Sequence, residues 1–301
     1  MSAASLLQLV SVVALDACFA MIVGTLSARI WLRGSSSSPH HGDVVRSLRC
    51  TETMAIWLAL LAAFLSMWAA AAVMMGSGLG PAAAMLWTMA LQTAYGQAGL
   101  AGIAILAAVA ASRTWAPRSM GTDVVVALLL LGFAAARASV SHAGENGLAS
   151  LAFGVEWLHL VLIALWFGGV ATGGWIVLPQ AHPQGWERLP VNRYLALLSH
   201  AATVALFGIV ATGLYNAWQR VGSVQNLSGN LYGDALVVKL AFVGSAMALG
   251  GYNKLIGFPA ATKSASSSPK VIAILRVESL LLLGALLAAA VLTTNQPPMA
   301  I

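Results

Sequence analysis

The sequence predicts an all-α fold: a polytopic membrane helical bundle of about eight transmembrane helices with both termini on the outer, periplasmic side. Three observations predict it. Hydrophobic residues make up 59% of the 301 positions and charged residues only 8%, against roughly 25% charged in soluble proteins. The apolar residues come as continuous runs instead of strict alternation, which selects helices over a closed barrel as the way to satisfy backbone groups in lipid. Between the runs stand stretches rich in Gly, Pro, Ser and basic residues. The whole of 1–301 reads as a single integral membrane domain.

Spans are expected at about 6–31, 47–75, 82–112, 122–140, 151–178, 194–220, 234–258 and 271–294. The first lacks a basic leader segment and a small-residue cleavage site, so it reads as a retained span. RGSSSSPHHGD closes it, GSGLGP closes the second, RTWAPRSMG closes the third, and PAATKSASSSP precedes the last. Ser35–Ser38 and Ser264–Ser268 read as flexible connectors. Cys18 and Cys50 fall in opposite membrane halves and form no disulfide framework.

Lys and Arg set the expected orientation. Arg29, Arg33, Arg46 and Arg49 flank the first connection, Arg113 and Arg118 the third, Arg188 and Arg193 the fifth, and Lys254, Lys263, Lys270 and Arg276 the seventh. By the positive-inside rule the odd connections face the cytoplasm. The net charge of +6 and the pI near 9.8 thus reflect topology, and no nucleic-acid partner is expected.

Against this background the fifth span is unusual. It carries Glu156 and His159 three apart on one helical face, and ionisable groups persist in hydrocarbon where they face a bundle interior, a partner or a water-filled cavity. The small residues Gly168, Gly169, Ala171, Gly173 and Gly174 follow, and would let another backbone approach. Asp16, Arg137, His142, Arg220, Asp234 and Lys239 join Glu156 and His159 in the outer half. A smaller inner group comprises Glu52, His200, Asn253 and Glu278.

SHAG at Ser141–Gly144, EWLHLVLIALWFGGV at Glu156–Val170, SHAATVALFGIVATGLYNAW at Ser199–Trp218, LYGDALVVKLAFVGSAMALGGYNK at Leu231–Lys254, and a last span with Arg276, Glu278 and a terminal NQPP resemble the copper-resistance protein D family. The resemblance covers about residues 120–298; residues 1–119, three additional N-terminal helices, match only in length and character. Where that family often has Asp, this chain keeps the carboxylate as Glu156. The resemblance implies copper homeostasis at the bacterial inner membrane, with import of copper toward the cytoplasm. It also implies a periplasmic copper-binding partner of the copper-resistance C type.

Imidazole suits copper in either oxidation state and thioether sulfur favours Cu(I). His142, His159 and His200 are therefore the candidate metal ligands, with Glu156 or Asp16 holding an imidazole tautomer. Met74, Met75, Met85 and Met89, which unlike nearby Met67 would lie near the outer surface, and Cys18 are weaker candidates, since Met and buried Cys commonly serve packing. Asp16, Arg137, Glu156, Lys239 and Glu278 form a candidate supporting polar network. Each histidine also has a plainer reading as a hydrogen-bonded packing residue, and His40, His41 and His182 read as solvated loop residues. No phosphate loop, nucleophile elbow or HExxH occurs, so no enzyme is expected.

Two alternatives stay open. Haem b ligated by intramembrane histidines would make the protein an electron carrier or metal reductase. At about 1.5 Å per residue, His159 lies roughly 12 Å inside the outer face and His200 roughly 9 Å inside the inner one, which strains a shared iron. The other alternative is a membrane scaffold that docks a periplasmic copper protein.

Overall fold

The computed structural model describes residues 2–33, 41–141, 143–181, 191–221, 231–263 and 268–294. His40, His142, His182, Arg188, most of the two Ser-rich connectors and the terminal NQPP lie outside these residues. Among the described residues the regular secondary structure is all helical. Its principal helices are α1 (Ala3–Trp31), α2 (His41–Met74), α3 (Leu79–Gln92), α4 (Ala94–Trp115), α5 (Met120–Ser139), α6 (Leu151–Thr172), α7 (Leu178–Ala181), α8 (Val191–Val221), α9 (Leu231–Tyr252), α10 (Phe258–Lys263) and α11 (Ser268–Thr294). Among the described residues, eight helical stretches are long and apolar enough to cross a membrane, matching the number expected from the sequence.

The third expected span is interrupted. Thr93 adopts extended backbone between α3 and α4. Its hydroxyl accepts from Gly96 N at 2.9 Å and donates to Met89 O at 2.8 Å, while Gln97 Nε2 donates to Leu91 O at 2.8 Å. Polar side chains thus cap the broken backbone locally, as Thr does at a helix N-terminus. A Cβ at Gly96 would fall on the Met89 carbonyl, so the bend requires glycine there. The 14 residues of α3 rise only roughly 21 Å, too short to cross hydrocarbon, and the eight spans include α4 alone from this pair.

The chain forms two compact units from interleaved segments. The first comprises Met1–Phe19, Thr53–Val161 and Thr212–Arg220. An apolar cluster of Ala4, Met67, Ala71, Ala72, Ala82, Met89 and Ala90 packs α3 and α4 against α2, with Trp68 Nε1 donating to Leu79 O at 2.9 Å. The short α4–α5 connection is clamped by a buried ion pair, Arg113 Nη1 to Asp123 Oδ1 at 2.7 Å. Phe19 and Phe133 pack with ring centroids 5.0 Å apart.

The second unit comprises Ala20–Glu52, Leu162–Ala211 and Val221–Ile301. Here the small-residue run of α6 meets α1: a Cβ at Gly168 would land on the Ala20 carbonyl, and one at Gly24 on the Gly168 carbonyl. Such contact of two backbones is possible only between glycines and replaces side-chain interdigitation by main-chain packing. α9 and α11 lie side by side, with Phe242 over Gly284, where a Cβ would sit 2.9 Å from the ring. Buried Arg29 holds Glu52 at 3.2 Å.

Two five-residue π segments interrupt the long helices of this unit, Gly173–Val177 between α6 and α7 and Asn253–Gly257 between α9 and α10. Each follows or overlaps a Gly-Gly pair and precedes a proline, Pro179 or Pro259. A π turn disturbs the regular ladder and is concentrated at functional positions in helices. In the first, Gly174 O accepts from Arg276 Nε at 3.0 Å, the Arg276 guanidinium lies 4.8 Å from the Trp175 ring centroid, and Trp175 Nε1 donates to Ser279 Oγ at 3.0 Å.

Candidate functional site

In the first unit, the face of α6 that carries Glu156 and His159 meets a polar face of α8. Asn216 Nδ2 donates to Glu156 Oε2 at 2.7 Å, and one turn away His159 Nδ1 shares a hydrogen bond with Thr212 Oγ1 at 2.8 Å. The i,i+3 spacing on one helix and the i,i+4 spacing on the other place both pairs on one interface of antiparallel helices. His159 is 7% exposed and Thr212 equally so, so neither reaches solvent for a substitute partner. Gly213 makes room for the ring, since a Cβ there would stand 3.4 Å from His159 Cε1.

The same unit holds the guanidinium of Arg137. Its Nη2 bridges both Asp16 oxygens, at 3.0 and 3.4 Å, and Tyr95 and Glu156 lie within its electrostatic surroundings. A cavity of about 30 Å³ beside it is lined by Ser66, Met67 and Tyr95, room for about two water molecules. Asp16 and Glu156 are the two carboxylates of this cluster, one paired with the Arg137 guanidinium and the other held by Asn216.

The remaining expected ligands are distributed differently. His142 lies outside the described residues. His200 belongs to the second unit, is exposed, and directs Nδ1 at Ala196 O of its own helix, 2.7 Å away. Met67 and Met89 are packed in the apolar cluster of the first unit, Met74, Met75 and Met85 are exposed, and Cys18 is half-buried. Lys239 and Glu278 fall in the second unit. Among the described residues no three His, Cys, Asp or Glu side chains gather as a metal-holding group.

Thr212 and Asn216 are the partners that the sequence did not single out. The available signal was their four-residue spacing on α8 at the depth where α6 carries Glu156 and His159. Also missed were the Arg113–Asp123 pair and the bond from Trp166 Nε1 to Glu278 Oε1, 2.9 Å.

Residues 191–292 match the family model described as copper resistance protein D. The matched segment begins with α8 and ends within α11, so it contains Thr212, Asn216, Asn253 and Glu278, while Glu156 and His159 precede it. Neither a curated protein nor a solved structure matches the chain. The resemblance carried by the sequence motifs is thereby borne out over the C-terminal third, and the chain is a multi-pass helical membrane protein whose residues 191–292 are similar to the copper resistance protein D family.

Proposed function

We propose that this protein transports copper across the bacterial inner membrane, from the periplasm toward the cytoplasm, receiving it from a periplasmic copper-binding protein. The observation that carries the reading is His159, buried in a membrane-spanning helix, bonded to Thr212 and one turn from the Glu156–Asn216 pair. An imidazole kept in hydrocarbon at an energetic cost, beside the Glu156 carboxylate, suits transient ligation of a soft or borderline cation. Ligation through Nε2 requires Nδ1 to carry the proton and donate to Thr212 Oγ1, so the threonine would set the tautomer. His142 is the further imidazole expected from the sequence, and the resemblance to the copper resistance protein D family supports the inward direction.

Cells expressing His159→Ala are expected to accumulate severalfold less copper than cells with an equal amount of wild-type protein in the membrane. Equal accumulation would remove His159 from the pathway. Thr212→Val, which keeps shape but loses the hydroxyl, is expected to show a smaller deficit of the same kind. A dithionite-reduced visible spectrum of the purified protein is expected to lack sharp α and β bands; their presence would replace copper carriage with haem-based electron transfer.

A further inference from the structure

The second unit contains a cavity of about 220 Å³. Much of its wall is apolar, but Trp166, Ser199, Thr203, Asn253, Lys254 and Glu278 bring polar atoms to it. Glu278 and Asn253 are each 1% exposed. Glu278 Oε1 accepts from Trp166 Nε1 at 2.9 Å, while Oε2 has no hydrogen-bond partner, and neither Oδ1 nor Nδ2 of Asn253 has one. Unsatisfied buried polar atoms are costly, and here three of them belong to residues that line one cavity large enough for several water molecules. Gly250 leaves the space: a Cβ there would stand 3.0 Å from Glu278 Oε1.

We propose that this cavity is a hydrated proton-binding site in which Glu278 exchanges a proton with water ordered by Asn253. The proton passes from a hydronium in the cavity to Oε2 and returns to water by the same route. Trp166 donates to Oε1 in both states, and no other bond changes. The arrangement suits a proton better than a metal ion. Lys254 lines the cavity with Nζ donating to Thr203 Oγ1 at 2.8 Å, and the single carboxylate of Glu278 with the Asn253 amide is too small a donor set to hold a metal ion. The other charged groups nearby are engaged elsewhere: Arg276 at Gly174 O and the Trp175 ring, and Lys270 5.3 Å from the Tyr252 ring centroid. On α8 the flanking groups are the hydroxyls of Ser199 and Thr203, with His200 turned to Ala196 O.

This site stands apart from the copper reading, which supplies only a use for the proton, and it is tested without copper. The full chain in lipid bilayers is perfused between acidic and alkaline buffer while infrared difference spectra are recorded. Wild type is expected to show a carboxylic-acid C=O band that appears with acidification and shifts in deuterated buffer. Glu278→Gln is expected to lose it. Asn253→Leu, which retains the carboxyl group but removes its water partner, is expected to slow the deuterium shift. Absence of a pH-dependent carboxylic band in wild type overturns the proposal, as does the same band in Glu278→Gln. Where the glutamine variant fails to fold, which the amide bands report, Glu278→Asp is read instead: a displaced band frequency supports the proposal and an unchanged one overturns it.

Discussion

Asp123→Ala is expected to destabilise the protein by about 3–5 kcal/mol, because it leaves the Arg113 guanidinium charged and buried without the carboxylate that compensates it. The two side chains are 2% and 1% exposed and meet at 2.7 Å. They also close a short connection fastened locally by Ser119, accepting from Thr122 N at 3.2 Å, and by Thr122 Oγ1 donating to Pro117 O at 2.6 Å. Breaking the pair therefore removes a charge partner and frees the α4–α5 turn together. The double variant Arg113→Met, Asp123→Leu is expected to recover most of the loss, since apolar replacement of a whole buried pair is often neutral or stabilising. Thermal unfolding in detergent, followed by tryptophan fluorescence, checks both; a single variant that melts with wild type would show that the pair does not hold this turn.

Gly168→Leu is expected to abolish recovery of monodisperse protein. Its Cβ has no room because the Ala20 carbonyl of α1 occupies that position, and the neighbouring atoms are backbone, which cannot change rotamer to escape. Overpacking against side chains costs about 1–3 kcal/mol, and a clash between two main chains forces the helices apart along their whole crossing. Gly169→Ala provides the comparison one residue away. Its Cβ would meet the Leu198 Cδ1 methyl at 3.1 Å, which can rotate, and the Trp31 ring at an ordinary 3.9 Å, so a mild loss is expected. Size-exclusion profiles of the two variants should differ sharply; equal recovery would refute the tight crossing of α1 and α6.

The number of spans was legible because hydrocarbon imposes length and continuity on each helix, and both are written directly in composition. The small-residue run of α6 was legible for the same reason, as a stripe with no other use in lipid. Thr93 was not, since a single threonine inside an apolar run is ordinary and its capping depends on Gly96 and Gln97 acting together. Glu156 and His159 could be singled out by their cost in a membrane. Their partners could not, because Thr and Asn are inexpensive in a helix and only a neighbouring helix reveals what they bond. Arg113 and Asp123 were concealed differently: one was counted as a loop cation for orientation, and the other stood as an unremarked acid at the start of α5.

The two π segments carry a consequence for numbering faces along α6 and α9. A π turn accommodates one residue more than an α turn, so at about 100° per residue everything beyond it is rotated out of phase with the helix that precedes it. Asn253 is buried while Lys254, Leu255 and Ile256, immediately following, are exposed. Deleting one residue from either segment would let the ladder close as ordinary α-helix and swing the next turn by about that angle, carrying Pro179 or Pro259 to a different neighbour. Each segment is in effect a phase-setting insertion, and an aligned relative one residue shorter at that point would present a different face of the same amino acids.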